Sequence, residues 1–297
     1  MPDSKTPKIC DYEGSNYRTE FWEGQGRNYE DRVERIALRR MLPDHGNRLL
    51  EIGAGFGRLT DEWSNYGQVV LLDYSFSQLQ YAQERYGQSD RFIYVAADVY
   101  KLPFRAGVFD GATMIRVVHH MADVPSALEQ IRRVLVPGAT FILEHANKQN
   151  LKAMVRYAMN KQEWSPYDHE PVEFVELNFD FHPEYIQQSL RDAGFDPQKR
   201  TPVSFFRLNL LKDNVPTPIL ATVDSVLQQT GILYAPSIFV KTMAVGETEK
   251  NLSTESLFVC PETGGELVRD GDTLVCQDCG LRYAVRDGIY DFKAPID

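Results

Sequence analysis

The chain has 297 residues, 43% hydrophobic and 25% charged. These are ordinary globular values, and they exclude a disordered chain, a collagen-like fibre and a coiled-coil rod. Lys and Arg number 32 against 42 Asp and Glu, a formal net charge of −10, so bulk charge does not hold the protein on nucleic acid, although a local basic groove stays open.

At roughly 150 residues per domain the length suggests about two domains. The opening MPDSKTPKIC has no apolar stretch of the secretory kind. No apolar run approaches the ~18 residues of a membrane-spanning helix. Four cysteines are too few for a secreted disulfide framework. The expectation is a cytoplasmic protein without membrane association.

Residues 1–28 are polar and aromatic, with Tyr12, Tyr17, Phe21 and Trp22, and read as an N-terminal arm or lid. Over 29–42, Val33, Ile36, Ala37 and Met41 share one helical face. Residues 43–47 (PDHGN) break the chain. Strands and helices then alternate. The pattern predicts strands at 48–53, 68–73, 91–97, 109–115 and 139–144, and helices at 59–66, 77–86 and 124–136. Such alternation means a parallel sheet covered on both faces. Residues 146–181 are irregular and rich in aromatics and acids, and read as a cover over a substrate. A helix at 183–193, a strand at 198–206, a helix at 218–229 and a strand at 237–244 follow. Residues 246–256 are a polar linker. The remainder, 257–297, combines short strands, Gly-rich turns and three of the four cysteines.

The centre of interest is Glu51-Ile52-Gly53-Ala54-Gly55-Phe56-Gly57. Glycines at the end of a first strand let the backbone turn sharply and approach a ligand. A dinucleotide fingerprint needs its third glycine at position 58, which is Arg. Asp73 ends the second strand, where a carboxylate can accept both hydroxyls of a ribose. Asp98 follows the third strand and can take an exocyclic amine, or simply cap a turn. His119, His120, Glu144 and His145 lie near the C-terminal edge of the sheet, where open α/β folds bind ligands. No Cys stands between residues 11 and 259, which excludes chemistry that needs a thiol nucleophile in this region.

The stretches LLEIGAGFGRLT, VVLLDYS, AADVYKLPF, VFDGATMIRVVHHMADV and LVPGATFILE resemble, in order, a class I S-adenosylmethionine-dependent methyltransferase of the small-molecule type. The resemblance implies a Rossmann-like α/β domain over 29–245, with a seven-stranded sheet and helices on both faces. It also implies that Glu51, Gly53, Gly55 and Gly57 surround the methionine part of the donor. Asp73 would hold the ribose and Asp98 with Val99 the adenine, and Tyr74 would also contact the donor. Arg116 would line the sulfonium side, and Tyr29 or Arg27 would close over the donor. His145 and His120 are the candidate catalytic bases. A turn reading Pro-Gly-Ala at 137–139 departs from the usual pattern, which has a second glycine.

The spacing Cys260-x2-Thr263-x12-Cys276-x2-Cys279 is the frame of a four-ligand zinc site with Thr at the second position. With the text CPETGGEL and LVCQDCGLRYAVRDGIYDF, the segment 257–297 resembles the Trm112-like ribbons, β-rich partners of methyltransferases. Cys260, Cys276 and Cys279 are the candidate metal ligands, of an incomplete site in which zinc is optional. The ribbon is expected to dock on its own methyltransferase domain. Three functions follow: methyl transfer to a small-molecule acceptor, methyl transfer to RNA or protein with the ribbon as a fused activator, or donor binding for regulation without turnover.

Overall fold

A computed structural model describes residues 7–16, 18–22, 24–248, 250–252 and 256–296. Tyr17, the side chain of Phe21 and parts of the linker lie outside the described residues. The elements in chain order are α1 (Asn28–Arg39), β1 (Gly46–Ile52), β2 (Tyr66–Asp73), α2 (Phe76–Tyr86), β3 (Phe92–Ala96), β4 (Phe109–Met114) and α3 (Val124–Val134). They continue as β5 (Leu135–Ala146), α4 (Leu151–Ala158), the hairpin β6 (Val172–Val175) and β7 (Asn178–Asp180), α5 (Pro183–Asp192), β8 (Phe195–Val203), α6 (Asn209–Asn214), α7 (Thr217–Leu227) and β9 (Ser237–Ala244). The C-terminal segment adds β10 (Leu267–Asp270), β11 (Thr273–Cys276), β12 (Arg282–Arg286) and β13 (Ile289–Ile296).

Local signals set several boundaries. Ser75 caps α2 by accepting from the Gln78 N–H, and Gly87 ends that helix. Asp123 caps α3 in the same way through Ser126. The helix expected at 59–66 is only a 3-10 turn, Thr60–Trp63, because β2 already begins at Tyr66 and leaves no room for a full α-turn beyond Trp63. The helix expected to reach 136 ends at Val134, since Leu135 and Val136 are taken into β5.

All strands but the β6–β7 hairpin join one sheet, ordered β10-β11-β12-β13-β3-β2-β1-β4-β5-β9-β8. The seven strands from β3 to β8 are the expected methyltransferase-like sheet, parallel except where β9 runs antiparallel to β5 and β8. The chain order reverses between β1 and β4, and the crevice above such a reversal is where open α/β sheets bind ligands.

The C-terminal strands extend this sheet. β13 pairs in parallel with β3, Ile289 opposite Tyr94 and Asp291 opposite Ala96. An uncovered β3 would present open N–H and C=O groups. A second seam lies beside it: Arg105 N–H donates to the Leu257 carbonyl and Val259 N–H to the Pro103 carbonyl, both at 3.0 Å. Phe258 stacks on Phe104 there, with ring centroids 5.8 Å apart, and packs against Tyr290 and Phe292. Cys260, Leu274, Tyr283 and Phe292 belong to the same buried cluster as the core of the sheet.

Candidate active site

The glycine loop sits at the tip of β1. Gly53 has φ +67°, and a Cβ on it would lie 2.1 Å from Val117 Cγ2, so only glycine lets the loop after β4 approach. Gly55 N–H donates to Asp73 Oδ2 at 2.8 Å, and Ser75 N–H donates to Oδ1 at 2.9 Å. Burial pushes the Asp73 carboxyl up to about 6, against the pull of those backbone donors. A carboxylate has about four lone-pair sites, so two bonds leave capacity for a diol.

Above this loop lies a cleft with about 810 Å³ of empty space, counting its open mouth. That is inside the ~300–1,000 Å³ usual for ligand pockets. Gly53, Gly55, Asp73, Tyr74, Val99 and Arg116 line it. Two further walls complete the cleft. One is the N-terminal arm, whose Lys8, Ile9, Cys10 and Tyr12 face the cleft. The other is Val117, His120 and Met121, beyond β4. Glu13 fixes the arm by accepting from the Phe76 and Ser77 N–H groups at the start of α2.

A smaller compartment of about 460 Å³ adjoins the cleft, sharing Gly53, Gly55 and Arg116 with it and bounded by Trp22, Glu51 and Arg58. Glu51 accepts a 2.6 Å bond from the Thr60 hydroxyl, and burial raises its carboxyl to about 7. Glu34 of α1 is fully buried behind this compartment and pairs with Arg58 at 2.8 Å and with Arg116. Burial alone would raise Glu34, but the Arg116 and Arg58 guanidiniums outweigh it and hold the carboxyl near 2. The same guanidiniums flank the Trp22 ring, Arg58 at 3.7 Å and Arg116 at 5.0 Å from its centroid. Arg116 itself has φ +60°, an uncommon conformation for a side-chain-bearing residue. Its N–H donates to Glu144 Oε2 at 2.9 Å.

A third and larger cavity opens on the other side of Arg116, with about 1,910 Å³ of empty space. Leu151 and Val155 of α4, Phe174 of the hairpin, Phe205 and Tyr234 make its apolar wall. Its polar wall includes His119, His120, Glu144, Asp180 and Arg207. The two histidine rings are 4.1 Å apart. His120 Nε2 lies 3.2 Å from the Tyr12 hydroxyl, and its Nδ1 lies 2.9 Å from the Leu177 carbonyl. Burial lowers the pKa of both rings.

Several residues singled out from the sequence sit elsewhere. Tyr29 does not reach the cleft: it is buried, donates to Asp224 at 2.6 Å and accepts from the Phe206 N–H at 3.0 Å. Its role is to pin α1 to the segment after β8. His145 is fully buried within β5, with Nδ1 3.1 Å from the Ala146 carbonyl, and it lines none of these cavities. Side chains alternate along a strand, and Glu144 takes the face toward the cavity. Gly57 also stands back from the cleft; a Cβ there would meet Tyr86 Cε2 at 2.7 Å, so it serves the packing of α2. The Asp98 carboxylate accepts from the Tyr100 N–H at 2.8 Å and caps the turn at Val99–Lys101. Ala97, Val99 and Tyr100 form the cleft wall at that point.

In the C-terminal module the Sγ atoms of Cys260, Cys276 and Cys279 lie within 4.8 Å of one another. Cys260 Sγ is 3.9 Å from Cys279 Sγ, and the Thr263 hydroxyl is 3.5 Å from Cys276 Sγ. Tetrahedral zinc with bonds of about 2.3 Å to sulfur suits thiols at such separations. The donor set fits three thiolates of a zinc site, with Thr263 facing the fourth position.

The comparisons with known proteins agree with this geometry. Residues 50–143 match the methyltransferase domain family, and residues 254–288 match the Trm112p-like proteins. The ubiquinone/menaquinone biosynthesis C-methyltransferase of Pseudomonas syringae is 32% identical over 168 residues, 51% of this chain and 66% of that protein. The chain thus spans just under two thirds of that relative. An O-methyltransferase of Aspergillus sclerotiorum is 29% identical over 212 residues, 66% of this chain and 74% of that one. Among solved structures, a chain from the complex of the Haloferax volcanii Trm112 methyltransferase activator with a methyltransferase superposes with TM-score 0.52. It is 20% identical and covers 75% of this chain and 95% of that one. By these matches the chain carries a methyltransferase domain over residues 50–143 and a Trm112p-like module over 254–288 in the same polypeptide.

Proposed function

We propose that the chain methylates a small, largely apolar molecule, with the donor in the cleft above β1 and β2 and the acceptor in the cavity beneath α4 and the β6–β7 hairpin. One observation carries this reading. The two spaces share Tyr12, Arg116 and His120, so their contents meet at those side chains. The relatives named above, a C- and an O-methyltransferase, support an acceptor of this size.

The donor supplies a methyl group on a sulfonium, and transfer is an in-line displacement. The protein's share is orientation and exclusion of water, worth about 7–11 kcal/mol when the alignment is good. Asp73 accepts the ribose hydroxyls, the Gly53–Gly55 backbone approaches the methionine part, and Val99 with Tyr74 borders the adenine. Arg116 stands between the two spaces. His120, whose pKa burial lowers, accepts the acceptor's proton at Nε2 where one must leave, the acceptor's hydroxyl taking the place of the Tyr12 hydroxyl on that nitrogen while the Leu177 carbonyl holds Nδ1–H.

The Trm112p-like module acts in this reading as a built-in partner. It covers the β3 edge and reaches the donor side through Lys293, whose ammonium lies 3.4 Å from Glu13 and 5.6 Å from the Tyr74 ring centroid.

The test is transfer of a labelled methyl group to cell extract separated into small molecules, RNA and protein. Label in the small molecules is the expected result. Label in RNA or protein supports the reading in which the module is a fused activator. Donor binding with no label anywhere supports a regulatory protein.

A further inference from the structure

The acceptor cavity holds an arginine that makes no close ion pair, although Glu34, Glu144, Glu30 and Asp180 act on it through space. Among the described residues Arg207 makes no ion pair, and its Nε and Nη2 are buried without a hydrogen-bond partner. Other arginines near the reaction centre are paired: Arg58 and Arg116 with Glu34, Arg35 with Asp31 and Glu62. A buried guanidinium left unpaired is costly, so its position demands a reason.

The surrounding structure holds that position firmly. Arg207 follows β8 on a loop in which Ser204 takes φ +68°. The fully buried Asp224 accepts from the Phe205 N–H at 2.8 Å and from Gln228 and Tyr29. Tyr29 in turn accepts from the Phe206 N–H. Two successive backbone N–H groups are thus tied down immediately before Arg207. The cavity is also cationic in an acidic protein: Arg27, Arg116, Lys152, Arg156 and Arg207 line it against only Glu144 and Asp180. Leu151, Val155, Phe174, Phe205 and Leu208 supply the apolar part of its lining.

Resting on the methyl-transfer reading above, we infer that the acceptor is an apolar, planar acid whose carboxylate is gripped by the Arg207 guanidinium. A guanidinium presents paired N–H donors that match a carboxylate in a fork. The apolar body of the ligand would then lie along Leu151, Val155 and Phe205, with its reactive atom toward Arg116 and His120. Binding would supply the partner that Arg207 lacks, so acids gain where neutral isosteres leave the cation buried and unmatched.

The experiment is calorimetric titration of the full chain, with S-adenosylhomocysteine present, by a series of aromatic carboxylates (benzoate, 2-naphthoate and their hydroxy derivatives) and the matching amides. At least one acid should bind about tenfold or more tightly than its amide, roughly 1.4 kcal/mol. Arg207→Gln should abolish that preference, and Arg207→Lys should keep part of it. Both variants should keep their affinity for S-adenosylhomocysteine. Because Arg207 makes no hydrogen bond or close ion pair among the described residues, both should melt close to the parent, which checks that they fold. The inference is overturned if no acid of the series outcompetes its amide, or if Arg207→Gln keeps the preference. Weak S-adenosylhomocysteine binding by the parent would instead strike the donor reading, so the two failures are distinguishable.

Discussion

The cleft proposed for the donor and the cavity proposed for the acceptor meet at Arg116, yet they are built on opposite terms. On the donor side nearly every polar group has a protein partner before any ligand arrives. Asp73 holds two backbone N–H groups, Glu51 a hydroxyl, and Glu34 two guanidiniums. On the acceptor side Arg207 and His119 Nδ1 are buried without partners, and Leu151, Leu208 and Phe174 are exposed. A preorganised site loses little freedom on binding and suits a constant ligand. An unsatisfied site leaves its interactions to be completed by a particular guest, and so discriminates among guests.

The largest test of this contrast removes the module that braces the donor side. Deleting residues 250–297 uncovers the β3 edge, Phe104 and the anchor of Lys293 on Glu13. Buried aromatics lost from a core cost about 3–5 kcal/mol each, so a melting temperature lower by ten degrees or more and self-association are expected. Calorimetry and light scattering check this. Unchanged stability would mean that the module faces another partner. The intact chain exposed to a chelator should change much less, because sheet pairing and the Phe258 cluster hold the module independently of its thiols.

Next in size is Glu34→Ala. It leaves Arg58 and Arg116 unpaired around Trp22, and breaking a buried ion pair typically costs about 3–5 kcal/mol. Denaturant unfolding measures it. Glu34 also sets an acid limit. Its carboxyl is held down to about 2 in the folded chain, against an unfolded value near 4.5. The stability it contributes is therefore complete above the unfolded value and is lost as pH falls from there toward 2. Glu34→Gln should flatten that part of the pH–stability curve. An unaltered curve would show that the guanidiniums find other partners.

The uneven legibility of the two halves has a physical cause. Gly53, Asp73 and Val99 stand at fixed offsets from strand ends, so the alternation of strands and helices already places them at one edge of a sheet. Arg207 and Asp180 reach the cavity from a loop and from the β6–β7 hairpin, and nothing local in sequence marks them. Glu34 was equally hidden: on an amphipathic helix a Glu beside Val33 reads as a solvated charge until Arg58 and Arg116 arrive from other elements. Tyr29 misled because an aromatic before a glycine-loop domain suits a lid, while its hydroxyl was committed to Asp224, nearly 200 residues away in sequence.

A middle-sized effect falls on Asp73. Asp73→Ala removes charge-assisted bonds to the ribose, each worth roughly 1.5–3 kcal/mol, so S-adenosylhomocysteine should bind at least tenfold more weakly. Burial raises the carboxyl to about 6. Protonation below that pH removes the charge that strengthens the bonds from the hydroxyls, so donor affinity of the parent should fall as pH drops through 6, and the variant should lack this dependence. Affinity that is flat from pH 5 to 8 in the parent would assign Asp73 to bracing the glycine loop alone.

The smallest effect at neutral pH is expected at His145, and it separates the two sides most finely. The ring lies one residue from Glu144, which borders the acceptor cavity, but it is fully buried and points away. Burial drives its pKa down to about 4, so it is neutral at pH 7 and carries no charge to the reaction. His145→Leu keeps the volume roughly constant and removes Nε2, which has no partner, so stability at pH 7 should change by less than about 1.5 kcal/mol. Turnover should stay within about threefold, whereas His120→Ala should lower it by about a hundredfold or more if a proton must leave the acceptor. The acid limb gives the sign check. In the parent the unfolded chain takes up a proton near 6.5 while the folded chain resists until about 4. Parent stability therefore falls as pH drops between those values, and the Leu variant should lack that loss. Parallel pH–stability curves together with lost turnover in the Leu variant would instead return His145 to the chemistry.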